Sequence, residues 1–143
     1  MRVLNTLAVA VALVAFSGVA GANDVVLAQV ASKSQESVSL DIVSDGNATG
    51  FQFALPLSKT ARGSSAKAMD LSKCLSDLPK THQGRCVYRE KTNDIFVIAF
   101  SLDNALLPEG VVGLGTISLG GMSEKSIKPA NVIFASPAGK KLN

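Results

Sequence analysis

The sequence has no tryptophan, one tyrosine (Tyr88) and one histidine (His82) among its 143 residues. Sugar-binding platforms stack exposed aromatic rings on pyranose faces, and so few rings argue against a flat platform while leaving a polar groove open. A lone histidine must borrow a carboxylate or nucleophile from elsewhere to act as an acid or base. No Gly-x-Ser-x-Gly elbow is present either. These absences lead us to expect no enzymatic activity, no catalytic residues and no cofactor, and to read His82 as a solvated loop residue. The lysines and arginines are scattered along the chain. Nucleic-acid binding needs them gathered on one face, so no nucleic-acid partner is expected.

Long apolar runs are confined to the start. Met1-Arg2 gives a short positive end, Val3 to Ala15 is apolar except for Asn5 and Thr6, and Ala20-Gly21-Ala22 supplies small residues where a signal peptidase reads them. We read residues 1–22 as a signal peptide cleaved after Ala22, because its apolar core falls short of the roughly 20 residues of a membrane span. No cysteine follows the small residues, so no lipid anchor is expected. The expected location is secreted or periplasmic. Residues 23–143 then form one domain, long enough to bury a core of its own. Loss of the leader removes Arg2 and leaves thirteen basic against eleven acidic residues, a nearly balanced surface.

Two cysteines, Cys74 and Cys86, remain after export. In an oxidising compartment a pair reads as a disulfide. Eleven intervening residues suit neither a Cys-x-x-Cys redox motif nor a zinc half-site, so metal ligation and redox chemistry are the weaker alternatives.

The most informative stretch is Asp94–Ser101, in which six apolar residues stand between polar ends. Ile95, Val97 and Ala99 alternate with Phe96, Ile98 and Phe100, so both faces are apolar. Such a strand lies centrally, with one face on a core and the other covered. Further strands are expected at Val25–Val30, Ser37–Ser44, Gly50–Leu57, Gly84–Glu90, Val111–Leu119, Ser126–Lys128 and Asn131–Ser136. In the second of these Val38, Leu40 and Ile42 face one way and Ser39 and Asp41 the other. Pro56 places the end of its strand at an edge or in a fray. Gly113 and Gly115 mark a bulge or a close backbone approach. Asp45-Gly46-Asn47 is a turn. Ala68, Leu71, Leu75 and Leu78 recur at helical spacing, which predicts a short helix centred on Leu71–Ser76 and stopped by Pro79. Seven to nine short strands with regular turns indicate an all-β, antiparallel β-sandwich, with that one short helix in the middle loop.

The segments Val38-Ser39-Leu40-Asp41-Ile42, Gly50-Phe51-Gln52-Phe53-Ala54-Leu55, Asp94–Ser101, Gly110–Leu119 and Asn131–Gly139 together resemble the cohesin and carbohydrate-binding-module type of β-sandwich. The resemblance spans roughly residues 25 to 142 and implies a jelly-roll, cohesin-like fold. Cohesins often carry a Tyr-Asp-Pro-like segment after the second of these strands, where this chain has Leu57-Ser58-Lys59. The Cys74–Cys86 link is also not a usual family feature. The implied function is a secreted, non-enzymatic binding or scaffold module for a protein partner. The alternative is a carbohydrate-binding module, with Tyr88 as the candidate ligand contact. The resemblance fixes neither the ligand nor the oligomeric state.

Asp41, Asp45, Asp94 and Asp103 sit at strand ends or on polar faces and read as turn chemistry. The Asp45 turn alone hints at calcium, without the ligand ladder of a full site, and no metal site is assigned. Asn47-Ala48-Thr49 matches a glycosylation sequon, a pattern that also arises by chance. Mass spectrometry of the exported protein is expected to show a chain beginning at Asn23 and two hydrogens lighter than its reduced form. Free thiols at both cysteines would restore the metal reading.

Overall fold

The computed structural model describes residues 24–58 and 68–137. The leader and its boundary after Ala22 lie outside these, as do most of the loop following Ser58 and the turn after Pro137. The described chain contains seven strands: β1 (Val25–Val30), β2 (Ser37–Ser44), β3 (Gly50–Pro56), β4 (Gln83–Arg89), β5 (Asp94–Phe100), β6 (Gly110–Ser118) and β7 (Ala130–Ala135). They form two antiparallel sheets, ordered β1-β2-β6 and β4-β5-β3-β7. The all-β sandwich read from the sequence is therefore present, and the apolar β5 lies inside the four-stranded sheet.

Each sheet contributes its alternating apolar set to one core. Val38, Leu40 and Ile42 of β2 and Val112, Leu114 and Ile117 of β6 face Phe51, Phe53 and Leu55 of β3, Ile95 and Val97 of β5, and Phe134 of β7. Phe51 stands between Phe53 and Phe134, with ring centroids 5.9 and 5.7 Å away. Burial of each large side chain stabilises the fold by roughly 1.5–3 kcal/mol before conformational entropy is counted. Loop residues Leu107, Leu119 and Ile127 close the ends of this core. Ile127 belonged to an expected strand, Ser126–Lys128. It enters the core from a loop instead, and the following Pro129 has no N–H to offer a ladder. Pro56 lies at the exposed end of a central strand rather than at a sheet edge.

The expected helix is absent: among the described residues there is none. Residues 71–78 instead wind through successive turns, with Cys74 N–H donating to Leu71 O, Ser76 to Lys73 O and Leu78 to Leu75 O. This winding keeps Leu71, Cys74, Leu75 and Leu78 on the core side, which accounts for the helical spacing. The reason it is not α-helical lies in its neighbour. β6 is an edge strand, and the segment satisfies that edge with its own backbone. Asp70 and Ser118 exchange two hydrogen bonds, Thr116 N–H donates to Lys73 O, and Asp77 N–H donates to Leu114 O. Covering the edge in this way removes a template for strand addition.

The close approach dictates Gly115. Here β6 carries a bulge, since Leu40 and Asp41 pair with Gly115 and Gly113 and leave Leu114 extra. Gly115 has φ +153°, and a Cβ there would overlap the Lys73 carbonyl and the Cys74 backbone. Gly115→Ala is expected to destabilise the protein by about 2–4 kcal/mol through displacement of this segment, measured by urea unfolding. A variant within about 0.5 kcal/mol of the natural protein would show that the contact is unimportant.

Candidate functional site

Side chains on the outer side of the four-stranded sheet follow from its register. Strand pairing sets Gln83, Phe100, Gly50 and Ala135 in one row, Arg85, Ile98, Gln52 and Ile133 in the next, and Val87, Phe96 and Ala54 in a third. Paired residues share a face, and these positions alternate with the core set. The result is a mainly apolar outer face. Phe96, Ile98 and Ile133 are half-buried, and Phe100 keeps 41% of its surface exposed. A shallow groove of about 160 Å³ runs between Gln52, Ile98, Phe100, Ile133 and Ala135. Just beyond Phe100, the β5–β6 loop exposes Leu102 and Leu106.

Charge closes the other end of the face. Arg89 donates from Nε to Asp94 Oδ1 at 2.8 Å and from Nη2 to Oδ2 at 2.7 Å, and the Thr92 hydroxyl also donates to Oδ1. The guanidinium lies 4.7 Å from the centre of the Phe96 ring. The hydrogen bonds from Arg89, followed by that from Thr92, hold the Asp94 carboxyl below its ordinary range despite its partial burial. Arg85, paired across the strands with Ile98, remains exposed on the face.

Tyr88 does not belong to this surface. It pairs with the buried Ile95, on the core side of β4, and its hydroxyl donates to Asn93 Oδ1 at 2.7 Å. Asn93 is buried in the β4–β5 turn with φ +53°, a conformation asparagine tolerates well. Its amide donates to Ser58 O at 2.8 Å, and its carbonyl accepts from Leu57 N–H. Tyr88 is thus one arm of a polar network that ties the hairpin to the end of β3. Ser58 continues the network through its hydroxyl and N–H to the buried Glu124.

Cys74 and Cys86 form the expected disulfide, which joins the turn segment beside β6 to edge strand β4. Asp103 is exposed in the β5–β6 loop, and Asp41 lies half-buried on the outer side of the three-stranded sheet. Burial, then the neighbouring Asp77 charge, raises the Asp41 carboxyl. Of the sequon, Asn47 is exposed while Ala48 and Thr49 are buried. Among the described residues no three His, Cys, Asp or Glu side chains gather as a metal group.

His82 differs from its sequence reading. It is buried, because its ring fastens the approach to β4 onto the start of β3. Nε2 lies 3.1 Å from the Thr49 carbonyl, which can only accept, so Nε2 carries the hydrogen; Nδ1 accepts from the Thr81 hydroxyl at 2.9 Å. No sequence signal separates such a satisfied histidine from an exposed one, since its partner lies 33 residues away.

No protein-family model matches the chain, and no curated protein does. No helix among the described residues is long and apolar enough to cross a membrane.

Burial depresses the His82 pKa, an effect only partly offset by the bond to Thr49. The unfolded chain therefore takes up the proton first, near the ordinary value of 6.5. The neutral ring's contribution is complete above that value and declines as pH falls toward the folded-state pKa. His82→Gln is expected to remove this part of the acid-side slope, read by urea unfolding between neutral and mildly acidic pH. Identical slopes in the two proteins would refute the assignment.

Proposed function

We propose that the chain is an exported, non-enzymatic binding or scaffold module, a cohesin-like jelly-roll sandwich that engages a protein partner through the outer face of its four-stranded sheet. The observation that carries this reading is the apolar patch of Phe96, Ile98, Phe100 and Ile133, which spans three cross-strand rows on the outer sheet face and which the described residues leave partly exposed. Exposed apolar groups gathered on one face, rimmed by polar ones, are the usual mark of an interaction surface. Phe100 and Ile98 supply rigid contact area, and Arg85 supplies a charge-assisted donor among them, the pairing that dominates interface energetics. The twisted sheet holds these groups at fixed spacings, so little side-chain freedom would be lost on binding.

A carbohydrate partner would draw on Tyr88. With its hydroxyl committed to Asn93 and its side chain on the core side of β4, that ring is poorly disposed to stack on a sugar. The outer face therefore favours the protein reading.

The test is a pull-down from secreted and envelope extract, with the oxidised domain as bait beside Phe100→Asp and Ile98→Asp variants whose melting temperatures are checked first. We expect one protein at near-stoichiometric level on the natural bait, reduced at least about tenfold by either change, as for loss of a hot spot of roughly 1.4 kcal/mol or more. Capture that neither variant weakens would place the interface elsewhere. Glycan material without protein would favour the carbohydrate module.

A further inference from the structure

The end of the three-stranded sheet where β1 begins and β2 ends holds two carboxylates that no lysine or arginine among the described residues pairs with. Asp24 immediately precedes β1, and Asp45 immediately follows β2. Asp24 is buried, with 6% of its surface accessible. Its Oδ1 accepts from Asp45 N–H at 2.9 Å, but its Oδ2 is buried without any hydrogen-bond partner. Among the described residues this is the one buried side-chain oxygen or nitrogen left so. Native proteins pair such atoms almost without exception, so an orphan needs a specific explanation, of which a bound ion is one.

The surroundings favour an ion. The Asp45 carboxylate lies against Asp24, and one of its oxygens accepts from Asn47 N–H at 3.0 Å. The Glu109 side-chain stem approaches Gly46 in the same turn, adding no positive charge. No lysine or arginine among the described residues is ion-paired with Asp24 or Asp45. Burial, followed after the offsetting Asp45 N–H bond by the Asp45 charge, raises the Asp24 carboxyl above its ordinary range. Two adjacent anions, one partly withdrawn from water, repel unless a proton or a cation lies between them.

We infer that Asp24 and Asp45 form a weak divalent-cation site of calcium type, which fastens the start of β1 to the β2 turn. The donors are hard carboxylate oxygens, the class calcium selects, and the fixed Asp24 Oδ2 is the preformed ligand. Two carboxylates leave most of the coordination sphere to water and backbone carbonyls. That places the affinity near the weak end of calcium modules, with a dissociation constant of about 0.1–1 mM. Bound calcium would replace the mutual repulsion of the two side chains with a shared attraction.

The test is thermal unfolding of the purified exported protein by circular dichroism, in EDTA, in about 5 mM calcium chloride, and in magnesium chloride of equal ionic strength, alongside Asp24→Asn and Asp45→Asn. Calcium is expected to raise Tm by about 2–6 °C over the magnesium control, with EDTA reversing the rise. Isothermal titration with calcium should give one ion per chain. Both variants should lose the response. If Asp24→Asn fails to fold, Asp45→Asn alone decides. A natural protein indifferent to calcium overturns the site, as does a calcium response that survives in a folded Asp24→Asn or Asp45→Asn protein. Should Asp24→Asn raise Tm in EDTA while the natural protein ignores calcium, the pair merely shares a proton and the inference fails. None of these results bears on the outer face of the other sheet.

Discussion

The architecture depends on how the edge of β6 is satisfied. A three-stranded sheet with that edge open would leave N–H and C=O groups facing solvent or another chain. The residues from Asp70 to Asp77 supply the missing partners, and the Cys74–Cys86 bond holds their far side to β4. One short segment thus completes one sheet, ties it to the other and walls the core between them. In the chain-entropy view a loop of this length gains roughly 3 kcal/mol from the cross-link, comparable to burial of one large side chain. Hydrogen bonds fix the segment's register, and the cross-link limits how far it can depart.

The strands were legible because alternation is a local property. β1 and β2 fall on the expected residues, and the other main strands differ by a residue or so at their ends. The double-sided apolar character of β5 correctly marked it as central. It also gave the outer surface, although the sequence suggested a covered face and the described residues leave Phe100 substantially exposed. What failed was information held at a distance. Leu71, Leu75 and Leu78 have a period common to an α-helix and a chain of three-residue turns. Only the β6 edge, more than thirty residues away, chooses between them. The skip from Leu114 to Ile117 across Gly115 carries a local trace of the bulge, which the glycine itself marks.

Polar groups were the least legible part. His82, Tyr88, Asn93 and Glu124 are all held by partners supplied by the fold, and His82, Asn93 and Glu124 each reach more than thirty residues along the chain. Composition records that these residues exist but not which carbonyl or carboxylate awaits them. Their common location is informative: they stand at the ends of the four-stranded sheet and fix the hairpin and strand starts that frame its outer face. That face is shaped by hydrogen bonds at its margins as well as by the core beneath it.

The strand order also bears on synthesis. β4 and β5 are neighbours in sequence and can pair as soon as both exist, whereas β2 must wait for β6, some seventy residues later. A chain made from its N-terminus consequently passes through a stage in which the β1–β2 ribbon has an apolar side and no sheet to complete. Long-range pairing of this kind slows folding and prolongs exposure of sticky intermediates. Ser37, Ser39 and Asp41, the polar outer positions of β2, keep one side of that waiting ribbon compatible with water until its partner arrives.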